Sequence, residues 1–96
     1  MHNKLLLQGR RAEILQTATA HGARNVRVFG STARGEAQAG SDLDLLITLE
    51  PGRSLLDLVA IKQDLEDLLG CSVDVVTNAS LSPYLRDQVL RDAVEL

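Results

Sequence analysis

The order strand, helix, strand between residues 42 and 77 constrains the fold of this chain more than any other feature. Residues 42–49 place apolar side chains at every second position, which is typical of a strand with one buried face. Residues 55–69 carry an apolar stripe at helical spacing, with an N-terminal capping box predicted at Ser54. Residues 72–77 are again strand-like. Because such connections are nearly always right-handed crossovers, we expect the two strands to lie parallel in one sheet.

The remaining segments extend this unit at both ends. An amphipathic pattern over residues 5–21 predicts a first helix, and residues 26–29 predict a short strand. The connection between the strand 26–29 and the strand 42–49 is short, so these two strands must run antiparallel. Ser82-Pro83 is a typical helix start, and the pattern predicts a last helix that continues to Leu96. The predicted fold class is therefore α/β (α+β), with a small mixed β-sheet and helices packed on its Leu43/Leu45 face.

The length of the chain limits what it can contain. Its 96 residues suffice for one domain, predicted to span residues 1–96, but not for a catalytic core with a large substrate platform. Only Phe29 and Tyr84 are aromatic, so the core must be aliphatic and light. A small core of this kind favours a stabilising partner, and we expect homo- or hetero-oligomers.

Charge and cysteine content exclude several classes of protein. The formal net charge of -3 does not favour the broad phosphate contacts that drive nucleic-acid binding, so no direct nucleic-acid partner is expected. No long apolar run or leader pattern is present, so we expect no membrane association and a cytoplasmic location. Cys71 is the single cysteine and cannot form an internal disulfide.

Three carboxylates are predicted to gather at one end of the sheet. Asp42 and Asp44 lie two residues apart on a strand, so they share a face within about 7 Å of each other. Asp74, near the start of the parallel neighbour, should face the same way. Like charges this close repel unless a cation is present, and oxygen ligands suit Mg²⁺ or Mn²⁺. An Asp pair alone, however, is also common at the solvent end of an ordinary strand.

The pair Gly30-Ser31 at the end of the strand 26–29 makes the acidic cluster more specific. A strand that ends in Gly-Ser and turns directly into a helix presents backbone N–H groups and a hydroxyl to an anion. Gly30 allows close approach of the backbone, and Ser31 can donate a hydrogen bond to a phosphate oxygen. The combination predicts a phosphate-binding turn beside a metal site.

These residues resemble a known family. Gly30-Ser31, ten intervening residues and then Asp42-Leu43-Asp44 form the signature of the DNA polymerase β-like nucleotidyltransferase superfamily. The wider segments 29–35 and 41–46 look like its minimal nucleotidyltransferase branch, often encoded beside HEPN-domain proteins. The resemblance covers nearly the whole chain, because that branch consists of little more than the catalytic core.

The resemblance implies a role for each matching residue. Gly30 and Ser31 would hold the nucleotide triphosphate, while Asp42 and Asp44 would bind two Mg²⁺ ions. Asp74 matches the third carboxylate of active members, which assists the metal site and the activation of the attacking hydroxyl. Arg34 could meet triphosphate charge, although an exposed arginine at such a position is as often solvated surface.

The resemblance also implies the reaction and the partner. The donor would be ATP and the product an AMP-modified hydroxyl, with pyrophosphate released. Minimal nucleotidyltransferases of this type act as antitoxins that adenylylate a HEPN ribonuclease toxin, typically on a tyrosine. Two alternatives stay open: a non-catalytic antitoxin that occludes its partner, and a small-molecule nucleotidyltransferase whose acceptor pocket is completed by dimerisation.

Overall fold

A computed structural model of the protein describes residues 9–30 and 43–96. The three α-helices of this part are α1 (Arg11–Ala20), α2 (Leu55–Leu69) and α3 (Pro83–Asp92). Its four strands are β1 (Ala23–Phe29), β2 (Leu43–Leu49), β3 (Val73–Thr77) and β4 (Val94–Glu95), and a short 3-10 turn covers Asn78–Ser80. No helix among these residues is long and apolar enough to cross a membrane.

The strands form one mixed sheet in the order β3-β2-β1-β4. β1 runs antiparallel to β2, and β2 runs parallel to β3 on its other side. Both orientations confirm the expectation drawn from the crossover rule and from the short connection after β1. β2 and β1 are thus the two inner strands, each with a neighbour on both sides.

The core lies between the α1/α2 layer and one face of the sheet. Its sheet side includes Leu43 and Leu45 of β2, which are at most 1% exposed, and this confirms the predicted packing face. The buried helical residues are Ile14 and Ala18 of α1 and Ile61 and Leu65 of α2. Leu46 points to the opposite face, yet it is also fully buried.

Part of the predicted apolar stripe on α2 is not buried. Leu55 is 75% exposed, and Leu56 and Val59 are exposed as well. The buried positions, Ile61 and Leu65, are four residues apart and face the sheet. The first turn therefore contributes little to the core, and its formation depends more on capping.

The N-terminus of α2 is capped as the sequence predicts. The Leu56 N–H donates to the Ser54 hydroxyl at 3.2 Å, and the Ser54 N–H donates to the Asp57 carboxylate at 3.0 Å. At the other end, Gly70 adopts a left-handed conformation with φ of 70°. These contacts satisfy backbone groups that the helix ends leave without intrahelical partners.

Ser54→Ala is expected to lower the free energy of unfolding by about 1 kcal/mol, because the capping hydroxyl is lost. The matched control is Ser82→Ala, since Ser82 is the N-cap of α3 but its side chain makes no capping hydrogen bond. Urea unfolding followed by circular dichroism measures both values. Equal losses in the two variants would show that the Ser54 hydroxyl does not stabilise α2.

The prediction that the last helix continues to Leu96 is wrong. α3 ends at Asp92, and Ala93 is extended with φ of -66° and ψ of 130°. Val94 and Glu95 instead form β4, which pairs antiparallel with Val28 and Arg27 of β1. The edge of β1 offers backbone partners that a continued helix would leave unused, and pairing there covers an exposed sheet edge.

The first predicted helix is described only in part. Residues 1–8 lie outside the described residues, and α1 covers Arg11–Ala20. The predicted helix is not continuous, because Arg10 has a non-helical backbone with φ of -121° and ψ of 18°. Its end agrees with the prediction, since the Gly22 N–H donates to the Thr19 carbonyl at 3.0 Å. Gly22 has a φ of 92°, a backbone conformation that glycine adopts without steric cost.

Candidate active site

Two of the three predicted carboxylates lie side by side on neighbouring strands. Asp44 of β2 is in register with Asp74 of β3, and strand β1 places Phe29 opposite Asp44. Parallel neighbours in register point their side chains to the same face, about 5 Å apart at the backbone. Asp44 is half-buried and Asp74 is exposed, so the pair forms one open acidic patch.

Buried neighbours hold Asp44 in place along its own strand. Leu43 and Leu45 on either side are inserted in the core, so the alternation of β2 turns Asp44 to the opposite face. The Leu43 N–H also donates to the Ser72 carbonyl at 2.9 Å, which joins the starts of β2 and β3. The acidic patch therefore rests on a rigid part of the sheet.

Gly30 lies directly against the Asp44 carboxylate. Its φ is 73°, and a Cβ added there would overlap Asp44 Oδ2 and lie 3.3 Å from Asp44 Cγ. Both the backbone conformation and the lack of space require glycine at this position. The structure thus joins the predicted phosphate-binding turn to the predicted metal-binding carboxylates.

The other predicted site residues cannot be placed. Ser31, Arg34 and Asp42 lie in residues 31–42, outside the described residues. Among the residues that are described, no group of three or more His, Cys, Asp or Glu side chains could hold a metal ion. Asp44 and Asp74 supply two carboxylates of the predicted three.

The donor set nevertheless has the right chemistry for a hard divalent cation. Asp44 and Asp74 offer only oxygen ligands from adjacent backbone positions, and such ligands suit Mg²⁺ or Mn²⁺. A cation between them would also offset the repulsion of two neighbouring carboxylates. The site could therefore bind metal-associated phosphate beside the backbone of Gly30.

The sequence did not reveal a pair of charged residues that contacts the start of β3. Lys62 and Glu66 of α2 form an ion pair with an N···O distance of 3.0 Å, and both bond the backbone of Val73. Their i,i+4 spacing predicts a helical pair, but nothing local shows that the pair meets a strand. We refer to Lys62, Glu66 and Val73 as the β3 clamp.

The pKa of Glu66 is lowered from its usual value, first because the Val73 N–H donates to its carboxylate and then because Lys62 does so. A lowered pKa in the folded state means that the unfolded chain binds the proton more readily. The interaction therefore stabilises the fold fully at pH values above the ordinary carboxyl pKa. This stabilisation is lost as the pH falls through the lowered pKa of the folded state.

His21, at the end of α1, contacts an acidic residue outside the predicted site. Its Nε2 lies 2.8 Å from Asp64 Oδ2, and both residues line an open groove of about 560 Å³ between α1 and α2. Of the predicted site residues within the described part of the chain, which are Gly30, Asp44 and Asp74, none lines this groove. The contact joins the two helices rather than contributing to the acidic patch.

Comparison with known proteins identifies the family that this fold and site define. The model of the nucleotidyltransferase domain family matches residues 12–96, which include the whole sheet. The chain therefore belongs to the nucleotidyltransferase domain family, and the resemblance seen in the sequence is confirmed.

Two relatives are similar over most of their length. A candidate protein adenylyltransferase of Methanocaldococcus jannaschii is 43% identical over 84 residues, covering 88% of this chain and 90% of the relative. The protein adenylyltransferase MntA of Thermococcus cleftensis is 41% identical over 90 residues, covering 85% of this chain and 91% of the relative. Both relatives carry names that denote transfer of AMP to protein.

Solved structures share the fold. That of a candidate minimal nucleotidyltransferase is 52% identical, with a TM-score of 0.87 over 100% of this chain and 97% of the other. A toxin–antitoxin complex with AMP-PNP has a TM-score of 0.75 at 22% identity, over 88% and 69%. The MNT antitoxin structure solved with the tri-AMPylated HEPN toxin of Shewanella oneidensis has a TM-score of 0.67 at 20% identity, over 96% and 70%. The minimal nucleotidyltransferase fold is thus confirmed.

Proposed function

We propose that this nucleotidyltransferase moves AMP from ATP to a hydroxyl, most simply a tyrosine, of a HEPN ribonuclease and thereby acts as its antitoxin. The observation that supports this most directly is the register of Asp44 with Asp74 beside Gly30. It joins an acidic patch, suited to a metal-bound triphosphate, to a turn whose positive φ and close approach to Asp44 favour glycine. The names of the two protein adenylyltransferase relatives support the choice of a protein acceptor.

The chemical step is a displacement at the α-phosphorus of ATP. The acceptor oxygen forms a bond to the α-phosphorus, the bond from that phosphorus to the bridging oxygen breaks, and pyrophosphate leaves with the bonding electrons. The acceptor hydroxyl loses its proton, and Asp74, which is exposed at the patch, would receive it. Gly30 leaves room for the Asp44 carboxylate at this patch.

Asp42, Asp44 and Asp74 would hold the divalent ions, predicted to be two Mg²⁺ with Mn²⁺ as a substitute. When bound, these ions supply charge stabilisation of the attacking and leaving oxygens. The protein contributes by fixing the ligands on a rigid sheet, because both neighbours of Asp44 are buried. Gly30, Ser31 and Arg34 would bind the triphosphate.

A protein acceptor is consistent with the small size of the chain. The described residues form a single four-stranded sheet, and the acidic patch lies open on it. An acceptor that carries its own binding surface would complete such a site. The likeness to antitoxin structures shows the fold, and the HEPN partner remains our proposal for this chain.

The test combines the protein with Mg²⁺, ATP labelled at the α-phosphate, and the HEPN-domain protein encoded beside its gene. We expect label on the partner, an increase of intact mass by whole AMP units, and loss of ribonuclease activity. ATP labelled at the γ-phosphate is the control, because AMP transfer leaves the partner unlabelled. Tandem mass spectrometry then identifies the modified residue.

The same experiment distinguishes the alternatives. Neutralisation of the ribonuclease with no change in its mass would show that the protein inhibits its partner by occlusion and not by catalysis. Label transferred only to small molecules of a metabolite extract would indicate an enzyme with a different acceptor. Label from the γ-phosphate on the partner would show phosphoryl transfer and overturn the proposed reaction.

A further inference from the structure

The outer side of β3 is the edge of the described sheet. The first residue of β3 is Val73. The Leu43 N–H of β2 donates to the carbonyl of the residue before it, Ser72, and not to Val73 itself. In a parallel ladder this arrangement turns both the N–H and the carbonyl of Val73 away from the neighbouring strand. Such backbone groups at a sheet edge require other partners.

The β3 clamp supplies both partners from α2. The Val73 N–H donates to Glu66 Oε2 at 3.0 Å, and Lys62 Nζ donates to the Val73 carbonyl at 2.6 Å. Lys62 Nζ also lies 3.0 Å from the same Glu66 oxygen, which closes a ring of three polar contacts. Two side chains therefore fix the backbone on both sides of one residue.

That residue immediately precedes Asp74. The Val73 carbonyl and the Asp74 nitrogen belong to one planar peptide unit. The hydrogen bond from Lys62 to that carbonyl therefore restrains the peptide plane that precedes the Asp74 Cα. The buried Val73 side chain anchors the strand in the core, but it does not set the rotation of this peptide plane. Pairing with β2 holds this plane on the side of the Asp74 N–H, and the β3 clamp holds it on the side of the Val73 carbonyl, so both restrain the direction of the Asp74 carboxylate.

We propose that Lys62 and Glu66 are positioning residues for nucleotidyl transfer, which hold Asp74 beside Asp44 through the backbone of Val73. This inference rests on the proposed function, because it assigns to Asp74 a role in the reaction. An exposed ion pair on a helix usually adds little to stability, whereas one that orients a reacting group can affect the rate strongly.

The test compares three variants of the full chain in the AMP-transfer assay with its HEPN partner. Glu66→Ala removes the acceptor of the Val73 N–H, and Glu66→Gln keeps an oxygen in its place. Asp64→Ala is the matched control, because Asp64 lies on the same helix and loses an equally short contact, with His21, away from β3. Circular dichroism confirms that each variant is folded at the assay temperature.

We expect Glu66→Ala to lower kcat at least about tenfold with little change in the KM for ATP, because a misdirected carboxylate affects the chemical step. Glu66→Gln should restore most of the rate, and Asp64→Ala should match the wild type. Amide hydrogen exchange provides a readout that does not depend on activity. The Val73 amide, which loses its acceptor, should exchange faster in Glu66→Ala than in Asp64→Ala.

Several results would overturn the inference. One is a wild-type kcat in Glu66→Ala, and another is an equal loss in Asp64→Ala, which would indicate a general effect of α2. A lower kcat with unchanged exchange at the Val73 amide would assign Glu66 a different role. If the wild type transfers no AMP, both the proposed function and the positioning role of the β3 clamp are overturned. If the wild type and Glu66→Ala are equally active, only the positioning role is overturned.

Discussion

Asp44→Asn is expected to reduce AMP transfer about a thousandfold, because a neutral amide cannot replace a carboxylate that binds the metal ions. The substitution keeps the size of the side chain, so the contact with Gly30 and the fold should be retained. The measurement is the initial rate of label transfer from α-labelled ATP at saturating Mg²⁺. Loss of kcat in a folded protein would place Asp44 in the reaction.

The control for this variant is Asp87→Asn, which neutralises an exposed aspartate on α3. It changes the net charge equally and should keep the wild-type rate. A rate for Asp44→Asn within tenfold of the wild type would remove Asp44 from the metal site. If Asp44→Asn loses transfer but still neutralises the ribonuclease, then binding rather than AMP transfer explains antitoxin activity.

Gly30→Ala is expected to lower both stability and activity. The left-handed φ of 73° costs a non-glycine residue about 1–2 kcal/mol, and the new methyl group would displace the Asp44 carboxylate it meets. A displacement of about 1 Å can reduce a rate about a hundredfold. Urea unfolding measures the first effect, and kcat of AMP transfer measures the second.

Gly52→Ala separates the two effects. Gly52 also has a positive φ, 88°, but a Cβ there would meet no atom within 4 Å. The Gly52→Ala variant should lose about as much free energy of unfolding through its backbone conformation, while it transfers AMP at the wild-type rate. If Gly30→Ala loses no more activity than Gly52→Ala, the close approach of Gly30 to Asp44 has no role in the reaction.

Local patterns in the sequence were sufficient for much of the fold. The spacing of apolar residues and the caps at Ser54 and Gly70 define α2, because a helix satisfies its hydrogen bonds within its own segment. The strand alternation of residues 43–49 set the two faces of β2 and so the direction of Asp44. The crossover rule then gave the parallel pairing of β2 and β3.

Features that depend on distant partners were missed. β4 was assigned to the last helix, because residues 94–95 are strand-like only when the edge of β1 is there to pair with them. The β3 clamp was missed for the same reason, since the spacing of Lys62 and Glu66 shows a helical pair but not the strand that it bonds. A strand edge has no signature within its own segment.

The sequence alone determined the family and the direction of Asp44 on its strand, because these follow from fixed spacing along the chain and from local strand geometry. Only the tertiary structure decided that Asp44 is in register with Asp74, that Gly30 touches the Asp44 carboxylate, and that α2 holds the start of β3. Register and side-chain contact between segments depend on packing of the whole core, where each shift of one residue would exchange the two faces of a strand.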